Sequence, residues 1–154
     1  MSRLLKRAAT AGLLAVFLLA DPATPAYRNN SPTHFPFAYM QHDCAPNDAV
    51  ELDLYFTAKK SECGKYSEPF VKISIWRNLP KPDSHSAEIP VRDGSAVRCL
   101  KPGACEAATS VILRLDKLIN EKSSSGEYEL HFKDGSVEKA KFDATSCHIY
   151  FVCG

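Results

Sequence analysis

Between residues 50 and 57 the chain reads Val-Glu-Leu-Asp-Leu-Tyr-Phe-Thr, with Val50, Leu52, Leu54 and Phe56 alternating against Glu51, Asp53, Tyr55 and Thr57. A period of two with one polar side predicts a half-buried strand. The pattern returns over 70–77, where Val71, Ile73 and Ile75 take the inward side and Phe70, Lys72, Ser74 and Trp76 the other. A polar loop over 58–69 joins the two. Shorter strands are expected near 89–92 and 96–99.

The segment 104–121 is ambiguous. Apolar residues at 104, 107, 108, 111, 112, 115, 118 and 119 fit one face of a helix that Pro102-Gly103 could precede, and they predict a helix over 104–121. The competing reading is a strand, because Val111, Leu113 and Leu115 also alternate with polar neighbours.

The chain then predicts a loop over 122–126 and a hairpin centred on Asp134-Gly135. A three-residue loop with Gly135 left-handed pairs Phe132 with Ser136, Leu130 with Glu138 and Tyr128 with Ala140, which keeps the aromatic residues and Phe142 on one face. It also sets Glu129 opposite Lys139 on the outside and leaves Glu138 at the edge of the core. A last strand is expected over 147–153, with Cys147, Ile149, Phe151 and Cys153 on one side.

Composition changes the picture at the N-terminus. The basic residues Arg3, Lys6 and Arg7 followed by an apolar run to Ala20 read as a secretory signal peptide over 1–20, cleaved after Ala20 or Ala26. Five prolines between residues 21 and 46 make 21–41 an irregular, proline-rich lead-in whose C-terminal part packs on the domain. The domain proper is assigned to 42–154. Loss of residues 1–20 takes three of the 19 basic residues and leaves 16 against 18 acidic ones, a net charge of −2. Charge so near zero excludes general binding to nucleic acid or anionic membranes. The mature chain has no second apolar run long enough for a membrane span.

Six cysteines follow the leader: Cys44, Cys63, Cys99, Cys105, Cys147 and Cys153. An even number in a secreted chain of this length reads as disulfides, and no CxxC spacing supports a metal site. Cys147 and Cys153 on one strand would stand about 20 Å apart, too far for one bridge. Cys99 and Cys105 are natural local partners. Two frameworks remain, with Cys44 and Cys63 bonded to Cys147 and Cys153 in either order.

The predicted architecture is therefore a disulfide-stabilised single domain, mainly β, either an antiparallel sandwich-like or an α+β sheet, with one helix at 104–121. No phosphate loop, zinc-protease helix or nucleophile elbow is present, and no cofactor is expected. The catalytic alternative is a pair of histidines, His42 and His148, acting as base and acid in a small secreted hydrolase such as a nuclease, provided a Cys44–Cys147 bridge brings them together. Trp76 and Phe70 are expected to be covered by a second layer, as aromatic residues mostly are, and if exposed they form with Tyr55 and Tyr66 a recognition surface. The expected function is a secreted or periplasmic, non-enzymatic protein of inhibitor or immunity type that binds another protein or a surface ligand. A structural envelope component is the third possibility.

Overall fold

The computed structural model describes residues 35–45, 48–81, 87–90, 92–119, 122–148 and 152–153. Residues 1–34, which hold the expected signal peptide and most of the expected lead-in, and residues 149–151 of the expected last strand lie outside them.

Eight strands follow in order: β1 (Phe37–Cys44), β2 (Val50–Thr57), β3 (Phe70–Ile75), β4 (Ala87–Glu88), β5 (Gly94–Lys101), β6 (Ala104–Ile119), β7 (Ser123–Phe132) and β8 (Val137–Cys147). Hydrogen-bonded neighbours run β6-β5-β3-β2-β1-β8-β7, and β7 pairs again with β6, so seven strands close into a barrel. Short β4 attaches to β6 outside the ring. All pairings are antiparallel except β1 with β8, where Ala38–Gln41 run alongside Ala144–Cys147. Closure corrects the expected sandwich. It pairs the edges that a sandwich would leave open.

The helix expected at 104–121 is also corrected: Ala104–Ile119 is one long strand. The reason is visible in its register. The pairing of β6 with β7 shifts between Ala108 and Ser110 and again between Leu115 and Lys117. Each bulge inserts one extra residue and turns an alternation step of two into a step of three. The inward sequence thus becomes Ala108, Val111, Leu113, Leu115 and Leu118, all buried in or packed against the core. Steps of three at both ends imitate the spacing of a helix.

β1 begins at Phe37, so the end of the proline-rich segment 21–41 is strand. β7 begins at Ser123, within the stretch expected to be a loop, and β8 runs unbroken to Cys147. The β7–β8 hairpin has the argued register, with Leu130 opposite Glu138, Tyr128 opposite Ala140 and Glu129 opposite Lys139. Phe132 and Ser136 bond across the turn at 3.0 Å, and Gly135 has φ +79°, which glycine adopts without a Cβ penalty.

Inward side chains fill the lumen. Phe56 meets Tyr128 at 4.5 Å between ring centres and Phe142 edge-on at 5.3 Å. Leu54, Val71, Ile73, Leu113, Leu115 and Leu130 are fully buried around them, and each such side chain contributes about 1.5–3 kcal/mol of transfer free energy. Glu138 also points inward, buried, and accepts a hydrogen bond from the Tyr128 hydroxyl at 3.1 Å. At the end of the barrel near the β7–β8 turn, Arg98 stacks 3.8 Å over the Phe132 ring and donates to Glu106 at 2.8 Å and Ser136 at 3.2 Å.

Three disulfides fasten the barrel: Cys44–Cys153, Cys63–Cys147 and Cys99–Cys105. This is one of the two frameworks left open by the sequence. Cys99–Cys105 pinches the β5–β6 hairpin, and the other two tie the first half of the chain to the last strand and tail.

Candidate functional site

Two places on the barrel gather the polar and aromatic residues from which a site could be built. The first is the outer wall of β1, β2 and β3. Alternation sends Tyr39, Gln41 and Asp43 outward from β1, Glu51, Asp53 and Tyr55 from β2, and Lys72 and Ser74 from β3. The register sets them side by side, with Gln41 opposite Asp53, Asp53 opposite Ser74 and Tyr55 opposite Lys72.

This wall is not the solvated face that its polarity suggests. Gln41, Glu51, Asp53 and Ser74 are all buried. Buried charge requires partners, and Lys72 supplies one: its ammonium lies 2.8 Å from Asp53 Oδ2 and 3.6 Å from Glu51 Oε1. Ser74 donates to Asp53 Oδ1 at 2.6 Å. Burial opposes the charge on Lys72, but the hydrogen bond and charge of Asp53 outweigh it and hold the ammonium above its ordinary pKa. Burial raises the Glu51 pKa, reinforced by Asp53 and Asp43 and opposed by Lys72. Oxygens of Asp43, Glu51 and Asp53 come within 4.8 Å of one another, a spacing a divalent ion could use, but Lys72 is already the cation at two of the three. Sequence reading took Glu51 and Asp53 as an ordinary polar face, and nothing in the alternation singles out Lys72 as their partner.

Loop 58–69 lies along the same wall. Tyr66 stacks on Tyr55 at 4.1 Å and donates to Gln41 at 3.0 Å, Tyr39 accepts from the Ser61 amide at 2.8 Å, and Cys63 is bonded to Cys147. Phe70 lies 6.0 Å from Tyr55. Three of the four expected recognition aromatics, Tyr55, Tyr66 and Phe70, are thus tied together, half-buried, by the loop. Burial raises the pKa of both tyrosines.

Trp76 does not join them. It stands just past β3 at the opposite end of the barrel, where a hollow of about 280 Å³ is lined by His42, Val50, Glu51, Leu52, Ile75, Trp76, Arg77, Asn78 and Leu79. Its apolar lining residues Val50 and Leu79 are open to solvent, 57% and 36% exposed. Val152, 73% exposed, adjoins Cys153, whose bridge to Cys44 places it near Val50, the residue opposite Cys44. The segment carrying Trp76 and Leu79 is held firmly. The amides of Trp76 and Arg77 donate to the Asp93 carbonyl at 2.9 and 3.1 Å, and the Trp76 indole donates to the Arg92 carbonyl at 2.7 Å. Asn78, with φ +50°, bonds Asp93 Oδ2 at 2.9 Å and turns Leu79 outward.

The two histidines reach the same end, since β1 and β8 lie alongside with Gln41 beside Cys147. His42 lines the hollow half-buried, whereas His148 is exposed after β8. The Cys44–Cys147 bridge invoked to set them face to face is not formed, because Cys44 bonds Cys153. No helix among the described residues is long and apolar enough to cross a membrane. Three disulfides are compatible with an extracytoplasmic location. Comparison of the chain with protein-family models, curated proteins and solved structures finds no match.

Proposed function

We propose that the protein is a secreted or periplasmic binding protein, not an enzyme, and that it recognises another protein through the barrel end carrying Val50, Trp76 and Leu79. The observation that carries this reading is the gathering of exposed Val50 and Leu79 with Trp76 around one hollow, whereas exposed Leu100 on β5 stands outside it. Apolar groups left in water on a rigid frame favour association, since their burial is the main gain of an interface core. The frame is rigid here because Asp93 anchors the Trp76–Leu79 segment and the Cys44–Cys153 bridge closes the neighbouring corner. Preorganisation of this kind lowers the ordering cost of binding.

Affinity capture with immobilised, oxidised protein from envelope and extracellular fractions of the producing cells tests the reading. Wild type is expected to retain a specific protein that a folded Val50→Asp, Leu79→Asp double variant does not. Equal retention by both, or none by wild type, would overturn it.

A further inference from the structure

We infer that the partner of this barrel end is a protein segment with acidic residues around an apolar knob. The inference rests on the binding reading above and adds the chemistry of the partner. Trp76, Leu79 and Val50 form the apolar centre. Around them the exposed charged side chains are mainly cations: Arg77 on the hollow's own lining, Lys81 two residues beyond Leu79, and Arg92, whose carbonyl holds the Trp76 indole. The neighbouring carboxylates are largely spent within the fold. Asp93 is buried and engaged by Asn78 and Arg92, and Glu51, the carboxylate among the lining residues, is buried against Lys72. Asp48 is the exposed acid nearby, next to Ala49 and Val50, and half-buried Asp43, within 4.8 Å of Glu51, accepts from the Cys44 amide at 2.8 Å.

A basic rim on a chain that is close to neutral overall is a local asymmetry. It fits an acidic rim on the partner, where unlike charges steer encounter and fix register. It disfavours a second copy of this chain, because a two-fold contact through this face would set Arg77, Lys81 and Arg92 against their own counterparts. The knob would occupy the hollow, and arginine at its edge would meet carboxylates in paired hydrogen bonds.

Trp76 is the single tryptophan, so its emission reports occupancy of the hollow directly. The full oxidised chain is titrated with a twelve-residue peptide free of tryptophan and tyrosine, in which aspartate and glutamate surround leucine and methionine. A matched peptide carries lysine at every acidic position. The acidic peptide is expected to shift Trp76 emission, with affinity falling at least tenfold between 50 and 500 mM salt, the steep dependence expected of charge pairing. A similar loss is expected in an Arg77→Glu, Lys81→Glu, Arg92→Glu variant whose unfolding temperature is unchanged. Binding of the lysine peptide with equal strength, or no response to the acidic one, overturns the acidic assignment. The binding reading itself then stands or falls on the capture experiment, so the two failures are distinguishable.

Discussion

Removal of the disulfides in turn tests how the barrel is fastened. Taken alone, the bridges span 109, 84 and 6 residues. The chain-entropy relation assigns loops of those lengths about 4.8, about 4.6 and about 2.2 kcal/mol. The two long bridges are nested, however. With Cys63–Cys147 in place, Cys44–Cys153 adds only the residues outside it, a loop given by the 25-residue difference between the two spans. A loop of that size is worth about 3.5 kcal/mol. Alanine replacement of either long pair is therefore expected to lower stability by about 3.5 kcal/mol, of Cys99 and Cys105 by about 2 kcal/mol, and of both long pairs by about 8 kcal/mol. A loss of that size is comparable to the whole stability of a typical domain. Guanidinium denaturation of the three single-pair variants and the double-pair variant measures this. A hairpin pair that matters more than either long pair, or long-pair losses that simply add, would refute the nested arrangement.

Glu138 gives a pH test. Burial raises its pKa from the ordinary value of 4.5, against the hydrogen bond from Tyr128 and the charge of Arg98. Its contribution to stability is therefore fully present below the unfolded pKa and is lost as pH rises through the higher folded value. Glu138→Gln should be more stable than wild type at pH 7 and should converge with it near pH 4, and parallel Tm–pH curves would contradict this. Lys72→Met leaves Asp53 buried without its cation and should lower stability by about 3–5 kcal/mol in urea denaturation; an effect below about 1 kcal/mol would show that Lys72 is not its essential partner. Gly126 lies so close to the Arg114 carbonyl that an added Cβ would collide with backbone, so Gly126→Ala should cost about 1–3 kcal/mol by thermal unfolding. Unchanged Tm would contradict the close approach at the β6–β7 bulge.

The sequence was most readable where a local rule had a single outcome. The hairpin at Gly135 is one case, since only a left-handed glycine in a three-residue loop kept Tyr128, Leu130, Phe132 and Phe142 together. The exclusion of a Cys147–Cys153 bridge was right, since these cysteines bond Cys63 and Cys44, but the strand assumed for it over 147–153 is corrected: β8 ends at Cys147, and His148, Val152 and Cys153 lie outside any strand. β6 was misread because two bulges converted strand spacing into helical spacing, and no single residue marks a bulge. Closure of the barrel depends on β7 finding both β6 and β8, a long-range pairing that alternation within each strand does not encode. The outer wall was read as solvated because Glu51 and Asp53 alternate with apolar residues, and burial there comes from loop 58–69 and neighbouring strands far away in sequence. Trp76 is read from the alternation as an aromatic on the face opposite Val71 and Ile73, whereas its companions at the hollow, Val50 and Leu79, are brought there by β-pairing and by the turn at Asn78.

The most direct test of the recognition surface is site-specific cross-linking in the presence of the captured partner. A photoreactive side chain at position 79, beside Trp76, is expected to form a covalent adduct with that partner, whereas the same group at Ser61, on the outer-wall loop, is not. Cross-linking from position 61 with none from position 79 would contradict the account and move the binding surface to the loop.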